Sequence, residues 1–155
     1  MTESFKAGGP DWMNRHLDAY LKTGGKLGHL VDFTPQGSQR TPCLILHTIG
    51  RETGQPLLVP LIYGKDGENF IVVASNEGAP TDPGWVLRLQ ADPKVKFQVA
   101  EVKYTGTAEI VPEPERGRLF TKMTAIYPPF ADYPKQTGRE IPVVLLRPED
   151  VIEKL

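Results

Sequence analysis

The stretch that most constrains the fold is residues 47–76, which reads HTIGRETGQPLLVPLIYGKDGENFIVVASN. Its apolar runs are rich in β-branched residues and are separated by two polar turns, so it predicts three consecutive β-strands. The second turn contains Asp66-Gly67, which is a strong hairpin signal between two such runs. Pro60 lies inside the middle run, and because proline has no backbone N–H it predicts a sheet edge or a bulge.

The flanking sequence adds helices and further strands. Apolar residues at helical spacing predict a helix over 11–22, and Asp82 with Pro83 predicts the N-cap and first position of a second helix. The predicted order is helix 11–22, strands 40–50, 57–64 and 69–75, helix 82–90, a hairpin over 94–111, helix 114–126, an aromatic loop and strand 141–148. Six mostly antiparallel strands with flanking helices predict an α+β barrel. We expect one domain over 1–155, with a lead-in and helix at 1–25 and the barrel core at 40–148.

Charge and cysteine content exclude several classes of function. Eighteen Lys and Arg against nineteen Asp and Glu leave a formal charge of −1, without the dense basic block expected of a nucleic-acid-binding protein. The single cysteine, Cys43, indicates a reducing, cytoplasmic setting, and its apolar neighbours favour a buried, inert thiol over a nucleophile. His16, His29 and His47 lie far apart without a second cysteine, so we expect no metal site.

Membrane contact is expected to be peripheral at most. No apolar stretch approaches the roughly 18 to 20 residues needed to span a bilayer, and the N-terminus lacks the pattern of a secretion signal. The amphipathic segment 11–22 predicts a helix packed on the domain, with contact to the inner membrane face or a second subunit as the alternative. Both a monomer and a homodimer remain open.

The turn at residues 50–56 is longer than a hairpin requires. Gly50 and Gly54 flank Arg51, Glu52 and Thr53, so the backbone can curl and direct several N–H groups toward one point. Because an arginine can hold a phosphate through two parallel hydrogen bonds, this turn is a candidate anion site. The alternative is a long hairpin loop with a solvated arginine.

Four segments, in the same order along the chain, resemble one family. They are ILHTIGRETGQPLLVPLIYGKDG, IVVASNEGAPTDPGWVLRL, ADPKVKFQV and IYPPFADYPKQTGREIPVV, which together span about residues 40–147. The chain thus resembles the deazaflavin-dependent nitroreductase-like family, split β-barrel oxidoreductases that use the reduced 5-deazaflavin F420. The resemblance implies an F420H2-dependent reductase that transfers a hydride to a small-molecule electron acceptor such as a quinone, an enone or a nitro compound.

The resemblance also implies a cofactor site assembled from three parts of the chain. The turn and the strand after it would hold the phosphate and glutamate tail, through Arg51, Glu52, Thr53, Leu57, Leu58, Val59, Pro60, Leu61 and Ile62. The deazaflavin ring would lie along Val73, Ala74, Ser75 and Asn76. The short helix would add a wall from Gly84, Trp85, Val86, Leu87 and Arg88.

The loop YPPFADY would cover the ring and the acceptor. By the resemblance it contributes a cofactor contact from Phe130 and substrate-side roles for Tyr127 and Tyr133. Ser75 could donate a hydrogen bond to an acceptor oxygen, and a tyrosine could orient the acceptor or supply a proton. On the residues alone, core packing is the alternative for the three aromatic side chains.

The chain departs from better-known family members at five positions. Three cations that would face an anionic tail are missing, at Glu52, Leu57 and Asn76. Two tyrosines are also replaced, by Ile62 and Phe130. These losses leave two alternatives open, a split barrel that binds FMN and a non-catalytic carrier of a planar or lipid-like ligand.

Overall fold

Six antiparallel strands close into a barrel. The computed structural model describes residues 3–49, 53–76 and 81–155. The barrel strands are β3 (Arg40–Ile49), β4 (Pro56–Asp66), β5 (Asn69–Val73), β6 (Lys94–Val99), β7 (Val102–Ile110) and β8 (Val143–Ile152). They follow the order β3-β4-β5-β8-β7-β6, and β6 pairs back onto β3 to complete the ring. This arrangement confirms the predicted α+β split barrel.

Two further strands precede the barrel and were not predicted. β1 (Glu3–Lys6) runs parallel to β2 (Leu27–Asp32), and β2 pairs with the start of β3. The sequence of β2, LGHLVD, is interrupted by a glycine and a histidine and shows no alternation of apolar and polar residues. Its pairing partners lie elsewhere in the chain, so no local pattern indicated it.

Four α-helices surround the barrel: α1 (Trp12–Thr23), α2 (Gly84–Ala91), α3 (Glu115–Ile126) and α4 (Tyr133–Thr137). The longest of these described helices have 12 residues, too few to cross a bilayer. α2 contributes Trp85, Val86 and Leu89 to the main core cluster inside the barrel. The predicted N-cap of α2 is wrong, because Pro83 occupies that position and the Asp82 carboxylate pairs with Arg139 instead.

Helix α3 packs closely on β4 and thereby places the aromatic loop that follows it. A Cβ atom on Gly64 would lie 2.7 Å from both Met123 Sδ and Ile126 Cδ1, so a larger residue would force these two side chains to move. At the end of β4, the Asp66 carboxylate accepts hydrogen bonds from Arg118 and Lys122 of α3. The helix ends at Ile126, and a 3₁₀ segment, Pro128–Asp132, leads into α4.

The barrel is open between β4 and β5. β4 pairs with β3 along Pro56–Ile62, but it pairs with β5 only from Tyr63 onward. Pro60 therefore lies where β4 has a strand partner on one side, among the described residues, which confirms the predicted edge position. At this opening, strand geometry turns alternate backbone N–H and C=O groups of β4 away from β3.

Candidate active site

A cavity of about 260 Å³ lies at the opening between β4 and β5. Strand residues and Ser75, which follows β5, form one part of its lining: Val31, Cys43, Val59, Pro60, Leu61, Ile62, Val73 and Ser75. Side chains from α1, from the end of β2 and from the segment after α3 form the rest: Trp12, Met13, His16, Phe33, Tyr127, Phe130 and Tyr133. The lining is mostly apolar and carries few polar atoms, as is typical of sites for flat organic ligands.

Five aromatic side chains of this lining form a continuous series of tilted contacts, here called the aromatic wall. Ring centroids lie 5.9 Å apart for Trp12–Phe33, 5.0 Å for Phe33–Tyr127, 4.9 Å for Tyr127–Phe130 and 6.2 Å for Phe130–Tyr133. All four pairs are close to edge-to-face, which is a favourable arrangement for aromatic quadrupoles. The aromatic wall therefore joins three distant segments into one surface of the cavity.

Ser75 lies just after β5, and its backbone is held by Arg139. The Arg139 guanidinium donates to the carbonyl oxygens of Ser75 at 2.8 Å and Ala74 at 3.4 Å, and its Nη1 lies 2.6 Å from Asp82 Oδ1. This clamp, formed by Ala74, Ser75, Asp82 and Arg139, ties the end of β5 to the segment that enters α2. The Ser75 hydroxyl has no hydrogen bond to the rest of the described chain, so it can serve a ligand in the cavity.

Cys43 lines the cavity near the start of β3, and its thiol is expected to be unreactive. The residue is buried, and its burial strongly raises the pKa of the thiol. A thiol held in its neutral form is a poor nucleophile. This agrees with the expectation of an inert side chain. Within residues 3–49, 53–76 and 81–155, no three His, Cys, Asp or Glu side chains come together as a metal site would require.

Nine of the residues named from the sequence line the cavity: Val59, Pro60, Leu61, Ile62, Val73, Ser75, Tyr127, Phe130 and Tyr133. Ten others lie outside its lining: Thr53, Leu57, Leu58, Ala74, Asn76, Gly84, Trp85, Val86, Leu87 and Arg88. Arg51 and Glu52 lie outside the described residues. The structure thus brings together the strand and aromatic parts of the predicted site, while Trp85 and Val86 turn into the barrel core.

Three of the named residues outside the cavity make hydrogen bonds close to the ends of strands. Arg88 donates from Nε to Thr48 Oγ1 at 2.7 Å, which places this cation beside the last residues of β3. The Thr53 hydroxyl accepts a hydrogen bond from the Gln55 N–H at 3.2 Å. Asn76 has a φ of 49° and donates to the Thr81 carbonyl oxygen at 3.0 Å. These contacts lie at the end of β3, just before β4 and just after β5, respectively.

Six lining residues were not named from the sequence: Trp12, Met13, His16, Val31, Phe33 and Cys43. Three of them belong to the apolar stripe of α1, whose spacing predicted a packed face but not the element beneath it. Val31 and Phe33 belong to the strand that was not predicted or directly follow it. No motif marks these residues, since the docking of α1 and β2 on the barrel brings them to the cavity.

Comparison with known proteins identifies the family of this chain. The family model described as F420H(2)-dependent quinone reductase matches residues 12–148. A relative from Mycobacterium tuberculosis strain H37Rv, named F420H(2)-dependent quinone reductase, is 35% identical over 147 residues, which cover 87% of this chain and 95% of the relative.

Two solved structures show the same fold. One, titled as an F420-H2 dependent reductase, has 30% identity and a TM-score of 0.64, and it covers 68% of this chain and 94% of its own. Another, described as a domain-swapped dimer, has 28% identity and a TM-score of 0.66, and it covers 88% of this chain and 98% of its own. The predictions of an oxidoreductase, of F420 as its cofactor and of the split barrel are confirmed. The chain belongs to the F420H(2)-dependent quinone reductase family.

Proposed function

We propose that the cavity between β4 and β5 holds the deazaflavin ring of reduced F420 together with part of a quinone-type electron acceptor. The observation that carries this proposal is a mostly apolar cavity at an unpaired strand edge, bounded by the aromatic wall, in a chain of this reductase family. A flat ring needs apolar surface on its faces and a few hydrogen-bonding groups at its rim. The edge of β4 and the side chains of Ser75, Tyr127 and Tyr133 supply both.

The size of the cavity indicates that only part of the F420 molecule lies inside it. Its volume of about 260 Å³ lies just below the range of roughly 300 to 1,000 Å³ typical of pockets that enclose a drug-sized ligand. We infer that the cavity encloses a ring system, while the phosphate and glutamate tail extends along β4. Arg51, Glu52 and Thr53 of the turn, with Arg88 beside Thr48, would then meet the tail at the far end of the strand.

The chain's own groups orient the reactants and manage the proton. When bound, F420 in its reduced form supplies the hydride. The aromatic wall excludes water and holds the acceptor flat, so that the reacting carbon atoms can approach to about 3 to 3.5 Å. Ser75, with its backbone fixed by Arg139, is placed to donate a hydrogen bond to an acceptor oxygen. Tyr127 and Tyr133 are the candidate groups to orient the acceptor or to pass a proton to it.

The proposal also covers the electron acceptor, the location of the protein in the cell and its oligomeric state. A quinone is favoured by the family, and enone and nitro compounds are the other acceptors to be tested. We propose a cytoplasmic protein whose α1 can touch the inner membrane face, where apolar quinones reside, and the exposed side chains of Met13 and Leu21 on this helix support such contact. A solved relative forms a domain-swapped dimer, which supports a homodimer as the alternative to a monomer.

Titration of the purified protein with F420 and with FMN, followed by fluorescence, tests the cofactor. Saturable F420 binding with acceptor-dependent oxidation of F420H2 supports the proposal. FMN binding alone would favour the FMN-dependent alternative. Binding of neither cofactor, with a copurifying apolar ligand, would favour the carrier alternative, for which the losses at Glu52, Leu57 and Asn76 are the motivating observation.

The placement of the tail is tested by Arg51→Ala. Removing one charge-assisted contact of about 1.5 to 3 kcal/mol should weaken F420 binding by roughly 10- to 150-fold. A 5-deazaflavin truncated before the phosphate should bind both proteins equally. Arg147→Ala, at an exposed arginine of β8, is the matched control for loss of a positive charge. Equal F420 affinity in Arg51→Ala and the wild type would show that the tail lies elsewhere.

A further inference from the structure

His16 is a buried polar side chain on the lining of an otherwise mostly apolar cavity. It is 2% exposed and belongs to α1, the helix that brings Trp12 and Met13 to the same cavity. Its ring lies among other aromatic rings, with centroids 5.3 Å from Phe5, 6.3 Å from Trp12 and 6.0 Å from Tyr20. A polar group in such surroundings is expected to have a hydrogen-bonding partner for each of its polar atoms.

One nitrogen of His16 has a fixed partner. Nε2 lies 2.8 Å from the carbonyl oxygen of Gly28, and because a carbonyl oxygen only accepts, Nε2 carries a hydrogen and donates it. The position of Gly28 is itself tightly set. Its φ is +124°, and a Cβ atom there would lie 3.1 Å from Tyr20 Cβ, so a larger residue would be strained and crowded at this position. The contact fixes the orientation of the imidazole.

The other nitrogen, Nδ1, remains as a hydrogen-bond acceptor. Burial lowers the pKa of His16 below its usual value of 6.5, so the imidazole is neutral at neutral pH and Nδ1 carries a lone pair. Across the described part of the chain, Nδ1 has no hydrogen-bond donor. His16 lines the cavity, and its Nδ1 is not among the fully buried unpartnered atoms of the described chain, so a ligand that brings a donor to it gains the energy of a hydrogen bond.

We propose that Nδ1 of His16 accepts a hydrogen bond from a hydroxyl group of the reduced acceptor, and so makes the cavity selective for the reduced, hydroxyl-bearing ring. The inference rests on the proposed function, because it places the acceptor against α1 and the aromatic wall. A quinone carbonyl offers only lone pairs to Nδ1, which repel it. The hydroxyl that replaces this carbonyl after reduction donates to Nδ1 instead.

The chemistry balances without a further reagent. The acceptor gains two electrons and one hydrogen nucleus as the hydride of reduced F420, and it gains one proton from water. A hydride that reaches a ring carbon forms a C–H bond there, and the proton of that C–H group moves to a carbonyl oxygen by tautomerisation. With the proton from water, which leaves hydroxide, both carbonyl oxygens are then hydroxyls. His16 transfers no proton in this scheme, since its hydrogen stays on Nε2 and its lone pair binds the new hydroxyl. Because Nδ1 favours the reduced form over the oxidised form, His16 favours completion of the reduction.

Two stable probes isolate the hydrogen bond: 2-naphthol, which carries a hydroxyl, and 2-methylnaphthalene, which has the same shape without a donor. Their affinities are measured by calorimetry with and without oxidised F420. His16→Gln is the matched variant, because the glutamine amide can still donate to Gly28 but no acceptor remains at the Nδ1 position. We expect the ratio of the two affinities, 2-naphthol over 2-methylnaphthalene, to fall about 3- to 10-fold in His16→Gln.

A second readout needs no variant. With 15N-labelled histidine in the wild-type protein, 2-naphthol should shift the Nδ1 resonance of His16, whereas 2-methylnaphthalene should leave it in place. An unchanged affinity ratio in a folded His16→Gln, or an unmoved Nδ1 resonance at saturating 2-naphthol, would overturn the proposal. F420 binding is measured separately, so loss of F420 binding with a surviving Nδ1 shift would refute the proposed function and leave the role of His16 standing.

Discussion

The clamp formed by Arg139 gives the sharpest test of how this fold supports its site. Arg139 joins the carbonyl oxygens of Ala74 and Ser75 to the carboxylate of Asp82. Its side chain is 15% exposed and that of Asp82 is 33% exposed, so the pair is only partly screened by water. Arg139→Met keeps much of the apolar stem but removes every one of these bonds.

The size of the loss follows from the degree of exposure. A pair this well shielded should contribute about 1 to 2 kcal/mol, more than an exposed ion pair and less than a fully buried one. The two hydrogen bonds to carbonyl oxygens should add about 0.5 to 1 kcal/mol each, because water can partly replace the donor. We therefore expect Arg139→Met to lower the free energy of unfolding by about 2 to 4 kcal/mol. For a chain of this length the melting temperature should fall by about 4 to 16 °C.

Thermal unfolding by circular dichroism measures the effect, and Arg147→Met is the matched control. Arg147 Nη2 lies 2.8 Å from Glu109 Oε1, but the two side chains are 50% and 48% exposed. Such a pair contributes about 0 to 1 kcal/mol, so the control should lose less than about 4 °C. F420 affinity should also fall in Arg139→Met and not in Arg147→Met, because Ser75 loses its backbone anchor. Equal losses of melting temperature in the two variants would refute this account of the clamp.

Two further predictions concern charge. Burial lowers the pKa of His16, His29 and His47, so below about pH 6.5 the unfolded chain binds more protons than the folded one. The urea midpoint should hold above pH 6.5 and fall as the pH drops further, with a smaller fall in His16→Gln; a midpoint independent of pH between 7 and 5 would contradict this. Leu57→Arg, at an exposed residue of β4, should raise the affinity for F420 several-fold at low salt and less at high salt, whereas Leu57→Met should not. Equal affinities in these two variants would show that the tail does not pass Leu57.

The barrel could be predicted because its signals are local. The Asp66-Gly67 turn and the alternation in β6 and β7 each specify a hairpin without reference to the rest of the chain. β2 could not be predicted in this way, because it is held by β1 on one side and by the start of β3 on the other. The role of Asp82 at the start of α2 could not be predicted locally either. Whether its carboxylate caps the helix or pairs with Arg139 depends on a residue 57 positions away.

The residues of the candidate site also fall into two groups, those that local sequence signals predict and those that depend on tertiary contacts. Residues such as Pro60 and Ser75 can be predicted from the sequence because the family resemblance lies in the strands and turns. The part contributed by α1 was not named, since an amphipathic stripe shows that a face is buried without showing what it covers. The sequence places His16 on that stripe but indicates only a packed face. Its role emerges from the bond to Gly28, which no sequence pattern indicates.

The charges around the cavity favour one kind of acceptor. Its described lining contains no Lys, Arg, Asp or Glu side chain, so a negative charge left on the acceptor by the hydride would meet only neutral hydroxyls such as that of Ser75. In surroundings of low polarity an unpaired anion is costly. An acceptor that takes up a proton together with the hydride avoids this charge, as a quinone does when it becomes a hydroquinone. The apolar lining and the neutral acceptor atom on His16 therefore favour the same substrate class.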